Sequence, residues 1–70
     1  MTARLVRDAG AALYGSRWQS EMARDLGVSD RTMRRWTAVD VPVPAGVRAE
    51  LLRLCVERAA VLDGLIERLR

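Results

Sequence analysis

Three arginines crowd one short stretch of the chain, Arg31, Arg34 and Arg35, with Ser29, Asp30 and Thr32 beside them. A guanidinium presents five N–H donors in a planar fork, suited to phosphates and to the O6/N7 edge of guanine. Other chemistry is thin. The chain has no His and a single Cys, Cys55. That excludes a Cys/His zinc site, an internal disulfide, and a Ser or Cys nucleophile served by an imidazole base. No phosphate-cradling glycine loop is present either. The chain is therefore not expected to be an enzyme, and neither a metal nor a cofactor is expected.

The charge is unevenly placed. All twelve basic residues are Arg, and the net charge over 70 residues is +3. Residues 1–38 hold seven arginines against four acids, whereas residues 39–70 hold five of each. The excess lies wholly in the first part, which suggests a basic binding face followed by a charge-balanced element. Half the residues are hydrophobic and 30% are charged, the composition of a folded domain rather than a disordered one. Arg4, Arg7 and Asp8 break up the N-terminus, so no secretory leader is expected. No apolar run approaches the roughly 18 residues a membrane helix needs. A cytoplasmic location with Cys55 reduced is the expectation.

The elements that must carry these residues follow from breakers and periodicity. Leu5, Ala9, Ala12 and Leu13 recur at helical spacing over Ala3–Tyr14, and Gly15 ends that segment. A second helix is expected over Trp18–Leu26, with Ser16 and Gln19 spaced as a capping box. Gly27 stops it. Ser29 is a good N-cap for a third helix reaching about Ala38, with Asp30 favourably placed in its first turn. Residues 39–44 read as a loop, because Pro42 and Pro44 favour extended backbone and remove donors. From Ala45 onward, Val47, Leu51, Leu54, Cys55, Leu62, Leu65, Ile66 and Leu69 recur every three or four residues, one long amphipathic helix. The fold class is all-α, a single four-helix domain spanning residues 1–70.

The stretch Gln19–Ala38, QSEMARDLGVSDRTMRRWTA, resembles the helix-turn-helix of DNA-binding proteins of the phage repressor and Cro type. Counting Gln19 as the first place, Met22, Ala23, Leu26, Gly27, Val28, Met33 and Trp36 occupy the seven diagnostic places with the expected residue types. The resemblance covers 20 of the 70 residues. The pattern has a physical basis. Gly27 supplies a positive φ for the turn, and Ala23 lets the two helices approach. Met22, Leu26, Val28, Met33 and Trp36 are scaffold wedged between them.

The outward face of the third helix follows from a turn of about 100° per residue. With Met33 at zero, the core direction lies at about 330°, and Arg31 (about 160°), Arg35 (about 200°), Arg34 (about 100°) and Ala38 (about 140°) face away from it. An ordinary solvated face mixes charge signs; three like charges repel unless a polyanion is present. The resemblance implies that Ser29, Asp30, Arg31, Thr32, Arg34 and Arg35 reach bases or phosphates in the major groove, and that Gln19 contacts a phosphate. Arg31 and Arg35 are the expected base readers; Asp30 either accepts from a base or caps the helix. Ser16, Arg17 and Ser20 could add phosphate contacts. Glu21, Asp25 and Asp30 are expected to pair with arginines. Trp18 and Tyr14 are expected to pack, and Cys55 to be a small buried hydrophobe.

Three short helices cannot cover all of the fourth. Leu54, Val61, Leu62, Leu65, Ile66 and Leu69 are therefore the expected interface of a homodimer joined through residues 45–70, the alternative being a helix folded back on its own domain. Two recognition helices related by a two-fold axis suit a palindromic operator with half-sites about 34 Å apart. The expected function is a sequence-specific, double-stranded-DNA-binding transcriptional regulator, a homodimeric repressor such as phages and mobile elements encode. The competing expectations are a DNA-bending accessory factor of excisionase or transposase-helper type, and a protein-interaction or inhibitor module without DNA binding.

Overall fold

The computed structural model describes residues 1–38 and 42–70. Among these are four helices and no strand: α1 (Ala3–Tyr14), α2 (Trp18–Leu26), α3 (Asp30–Trp36) and α4 (Ala45–Leu69). Thr2 caps α1, its hydroxyl oxygen accepting from the Leu5 N–H at 3.1 Å. Gly15 leaves α1 at φ 84°, a conformation open to glycine. Gly27 closes α2 at φ 71°. Its N–H and that of Val28 bond back to the Arg24 and Ala23 carbonyls at 3.2 and 2.9 Å, the paired bonds of a Schellman turn. Ser29 starts α3 as expected, accepting from the Thr32 N–H at 3.1 Å. Pro42–Pro44 are neither helix nor strand, and Val43 turns its side chain into the core; residues 39–41 of the expected loop lie outside the described residues.

Four details differ from the sequence reading. The second helix spans Trp18–Leu26 as expected, but the capping box at Ser16 and Gln19 does not form: its N-cap is Arg17, and no side chain caps it. The third helix stops at Trp36, where the Thr37 hydroxyl donates to the Arg34 carbonyl, so Ala38 lies beyond it. The buried stripe of α1 is Val6, Gly10 and Leu13, while Leu5 stays 44% exposed and Ala12 is exposed. Cys55 is exposed, because the domain's own cover of α4 ends near it.

The core unites all four helices. Val6, Met22 and Met33 are fully enclosed, and Trp18, Ala23, Trp36, Val43, Val47 and Leu51 surround them. Gly10 is what lets α1 approach. A Cβ there would lie 2.9 Å from Cγ of Trp18 and closer still to two other indole atoms, so any side chain would displace the indole. Glycine costs roughly 1 kcal/mol in a helix interior, and the close α1–α2 contact offsets it.

Three polar ties lock the ends. The Arg7 guanidinium donates to the Thr37 carbonyl at 2.8 Å, joining α1 to the end of α3. Tyr14 donates its hydroxyl to Asp25 Oδ2 at 2.6 Å, joining α1 to α2. Arg58 donates to the Leu13 carbonyl at 2.6 Å and lies 5.7 Å from the centroid of the Tyr14 ring, joining α4 to the end of α1.

Beyond that tie α4 runs free. Every residue from Cys55 to Arg70 is exposed, and the helix does not fold back on its domain. The molecule accordingly measures 44 × 22 × 20 Å. Among the described residues no helix is long and apolar enough to cross a membrane.

Candidate nucleic-acid interface

α3 is fixed by its inner side. Met33 is fully buried and Trp36 is 8% exposed, both packed into the common core. Ala23 of α2, also buried, lets the helices close on each other. A seven-residue helix has little intrinsic stability. α3 holds its shape through those two anchors, the Ser29 cap and the Arg7 bond to Thr37.

The outer side follows from that anchoring. Ser29, Asp30, Arg31, Arg34 and Arg35 are exposed, and Thr32 is half-buried. Among the described residues, the ion pairs are Arg53 with Glu50 and Glu57, and Arg70 with Glu67. Arg31, Arg34 and Arg35 take part in none, and no described hydrogen bond uses their guanidinium groups.

Two acids of α2 and α3 take neutral donors. Asp25 accepts from Tyr14, and Asp30 accepts from the Ser20 hydroxyl at 3.4 Å. The expectation that Glu21, Asp25 and Asp30 pair with arginines does not hold among the described residues: none is in an ion pair, and Asp25 and Asp30 take neutral donors from adjacent elements. Burial, followed by the hydrogen bond to Asp25, pushes the Tyr14 hydroxyl up to about 12.

The Ser20–Asp30 contact brings the first turn of α2 beside the first turn of α3. Gln19, exposed, precedes Ser20 in that first turn of α2. An open concavity of about 420 Å³ lies at the start of α2 alone, lined by Ser16, Arg17, Trp18, Gln19 and Ser20. Trp18 contributes an edge while its ring packs in the core at 8% exposure. The α2 backbone N–H groups beneath it lack a side-chain cap.

The site is thus a helix with two large apolar anchors behind and three guanidinium forks in front, flanked by hydroxyl and amide donors. Such a surface offers donors to anionic oxygens and to acceptor edges. Among the described residues it includes no cluster of metal-ligating side chains.

Sequence reading missed Gly10, Arg7 and Arg58 as positioning residues. A glycine in the middle of an otherwise apolar helix was the one available signal. The two arginine-to-carbonyl bonds span 30 and 45 residues and leave no local pattern.

The expected interface residues of α4 divide. Leu54 is half-buried against its own core, whereas Val61, Leu62, Leu65, Ile66 and Leu69 are 66, 50, 42, 47 and 75% exposed. No protein-family model matches the chain, and comparison with known proteins and with solved structures finds no match either.

Proposed function

We propose that this chain binds double-stranded DNA sequence-specifically as a homodimeric transcriptional regulator, with α3 in the major groove of a palindromic operator. One observation carries the reading: Arg31, Arg34 and Arg35 project from a helix anchored on its opposite side by Met33 and Trp36, without an acidic partner among the described residues. Arginine is suited to this task because one fork can satisfy both acceptors on a guanine edge. The major groove, about 12 Å wide, admits one helix, and seven residues rise only about 10 Å.

The roles divide by position. Arg31 and Arg35 read base edges; Arg34, nearer the flank, reads a base or clamps a phosphate. Ser29, Thr32 and Asp30 line the leading turn. Gln19 and the uncapped N-terminus of α2 meet the sugar–phosphate backbone, since free N–H groups and the helix dipole favour an anion there. A second copy of the chain, joined through Val61, Leu62, Leu65, Ile66 and Leu69, supplies the second recognition helix. Regulation then follows from occupancy: a small dimer bound over a promoter excludes polymerase.

Selection of duplexes from a randomised pool at near-physiological salt, followed by sequencing, tests this. A palindrome should be enriched. An asymmetric enriched site would instead mark an accessory factor that bends DNA. No enrichment, with weak salt-insensitive binding, would remove DNA from the account.

A further inference from the structure

We infer that the second copy pairs antiparallel along the free end of α4, about a two-fold axis beside Leu65; this rests on the homodimer reading above. At about 100° per residue, Leu51, Leu54 and Arg58 all lie within about 40° of Val47 around the helix. These are the residues by which α4 packs on, or is tied to, its own domain. Leu65 falls in line with Val47, Val61, Leu62 and Leu69 lie within about 60° of it, and Ile66 lies about 100° from it. Beyond Arg58 the uncovered apolar residues therefore continue the face that meets the domain, with Ile66 at its edge, whereas exposed Leu52 and Val56 lie about 140° and 180° from Val47.

That continuity constrains any partner. Two helices packed side by side have axes about 8–10 Å apart. In a parallel pair, each domain would lie between the helices at the same height as the other, in a gap too narrow for either. In an antiparallel pair centred on Leu65, each domain sits past the end of the partner helix, and the faces meet unobstructed. Val61 then opposes Leu69 of the other copy, four residues on either side of the axis.

Charge favours a second copy over other occupants. Residues 55–70 hold Glu57, Asp63 and Glu67 against Arg58, Arg68 and Arg70, a net of zero, so two copies do not repel. Asp63, Glu67 and Arg70 lie about 140–160° from the Val47 direction, on the back of the stripe, and Arg68 and Glu57 lie together on one flank at about 60° and 80°. With no net charge, this segment offers an anionic membrane no electrostatic attraction.

Cys55, exposed and the only cysteine, is a built-in ruler. Twenty residues of helix separate it from its symmetry mate in this register, about 30 Å. A nitroxide on Cys55 of the full chain, read by double electron–electron resonance, should report that interchain distance of about 30 Å. A distance set only by the label arms and an axis separation of about 8–10 Å would establish a parallel pair and overturn the inference while leaving the dimer intact. Absence of interchain coupling, with a monomeric mass by sedimentation, would overturn the second copy itself. Duplex selection scores the DNA reading separately. Leu65→Arg, at an exposed position, should abolish the coupling without loss of helical circular dichroism. In a Cys55→Ser background, Leu65→Cys should cross-link to itself and Leu69→Cys should not; self-linking at both would again indicate parallel helices.

Discussion

The arginines of α3 and those of α4 live in different surroundings. On α4, Arg53 is held between Glu50 and Glu57 at 2.8 Å each, and these two acids, Glu50 first, raise its already high pKa. On α3, Arg31, Arg34 and Arg35 crowd a single face without an ion-pair partner among the described residues. Both helices are exposed on those sides. Among the described residues, α4 pairs Arg53 with its own acids and Arg70 pairs with Glu67, while Arg48 and Arg68 stand unpaired as the α3 arginines do; what sets α3 apart is that three such arginines share one short face. A helix whose outer face only meets water gains a few tenths of a kcal/mol from such i,i+3 and i,i+4 pairs. α3 has no such pair among the described residues.

The α3 surface depends most on the anchors behind it. Trp36→Ala should cost about 3–5 kcal/mol by cavity formation, comparable to the whole stability of so small a domain. Thermal unfolding by circular dichroism should show the transition lost or shifted far down, and DNA affinity should fall with it. Arg31→Ala and Arg35→Ala should each weaken duplex binding by about 1–3 kcal/mol and relax preference at one base position. Their unfolding midpoints should stay close to that of the parent chain, as exposed substitutions usually change stability by no more than about 0.5 kcal/mol. Tyr14→Phe should cost about 1 kcal/mol in denaturant titration, since Asp25 loses its donor.

The same Tyr14 contact makes stability sensitive to alkali. Its pKa is raised from 10.0 to about 12, so its contribution is complete below pH 10 and is shed as pH rises towards 12. The unfolding midpoint of the parent should decline more steeply over that interval than that of Tyr14→Phe. Arg53→Ala is the smallest expected effect. It should change stability by no more than about 0.5 kcal/mol, and duplex affinity hardly at all.

Punctuation residues made the helices legible. Gly15, Gly27, Ser29 and the prolines act locally, through positive φ, capping and lost donors, and the ends of α1, α2 and α4 fall where they indicate. The outward face of α3 was legible because Met33 and Trp36 leave only one direction for the core. What escaped depended on partners distant in sequence. α1 has apolar residues on two sides, and only the position of Trp18 decides that Val6, Gly10 and Leu13 face inward rather than Leu5. Asp25 and Asp30 looked like arginine partners until Tyr14 and Ser20 were brought beside them. Cys55 fits the apolar period of α4, but the domain ends near it and leaves it exposed.

The most direct test of the α3 surface is the salt dependence of duplex binding for the parent, the triple variant Arg31→Ala/Arg34→Ala/Arg35→Ala, and Arg53→Ala. The parent should show a linear fall of log affinity with log salt, and Arg53→Ala should match it. The triple variant should bind far more weakly, its slope shallower by about 1 for each phosphate contact removed. Identical affinities and slopes for the parent and the triple variant would contradict the assignment of DNA binding to α3.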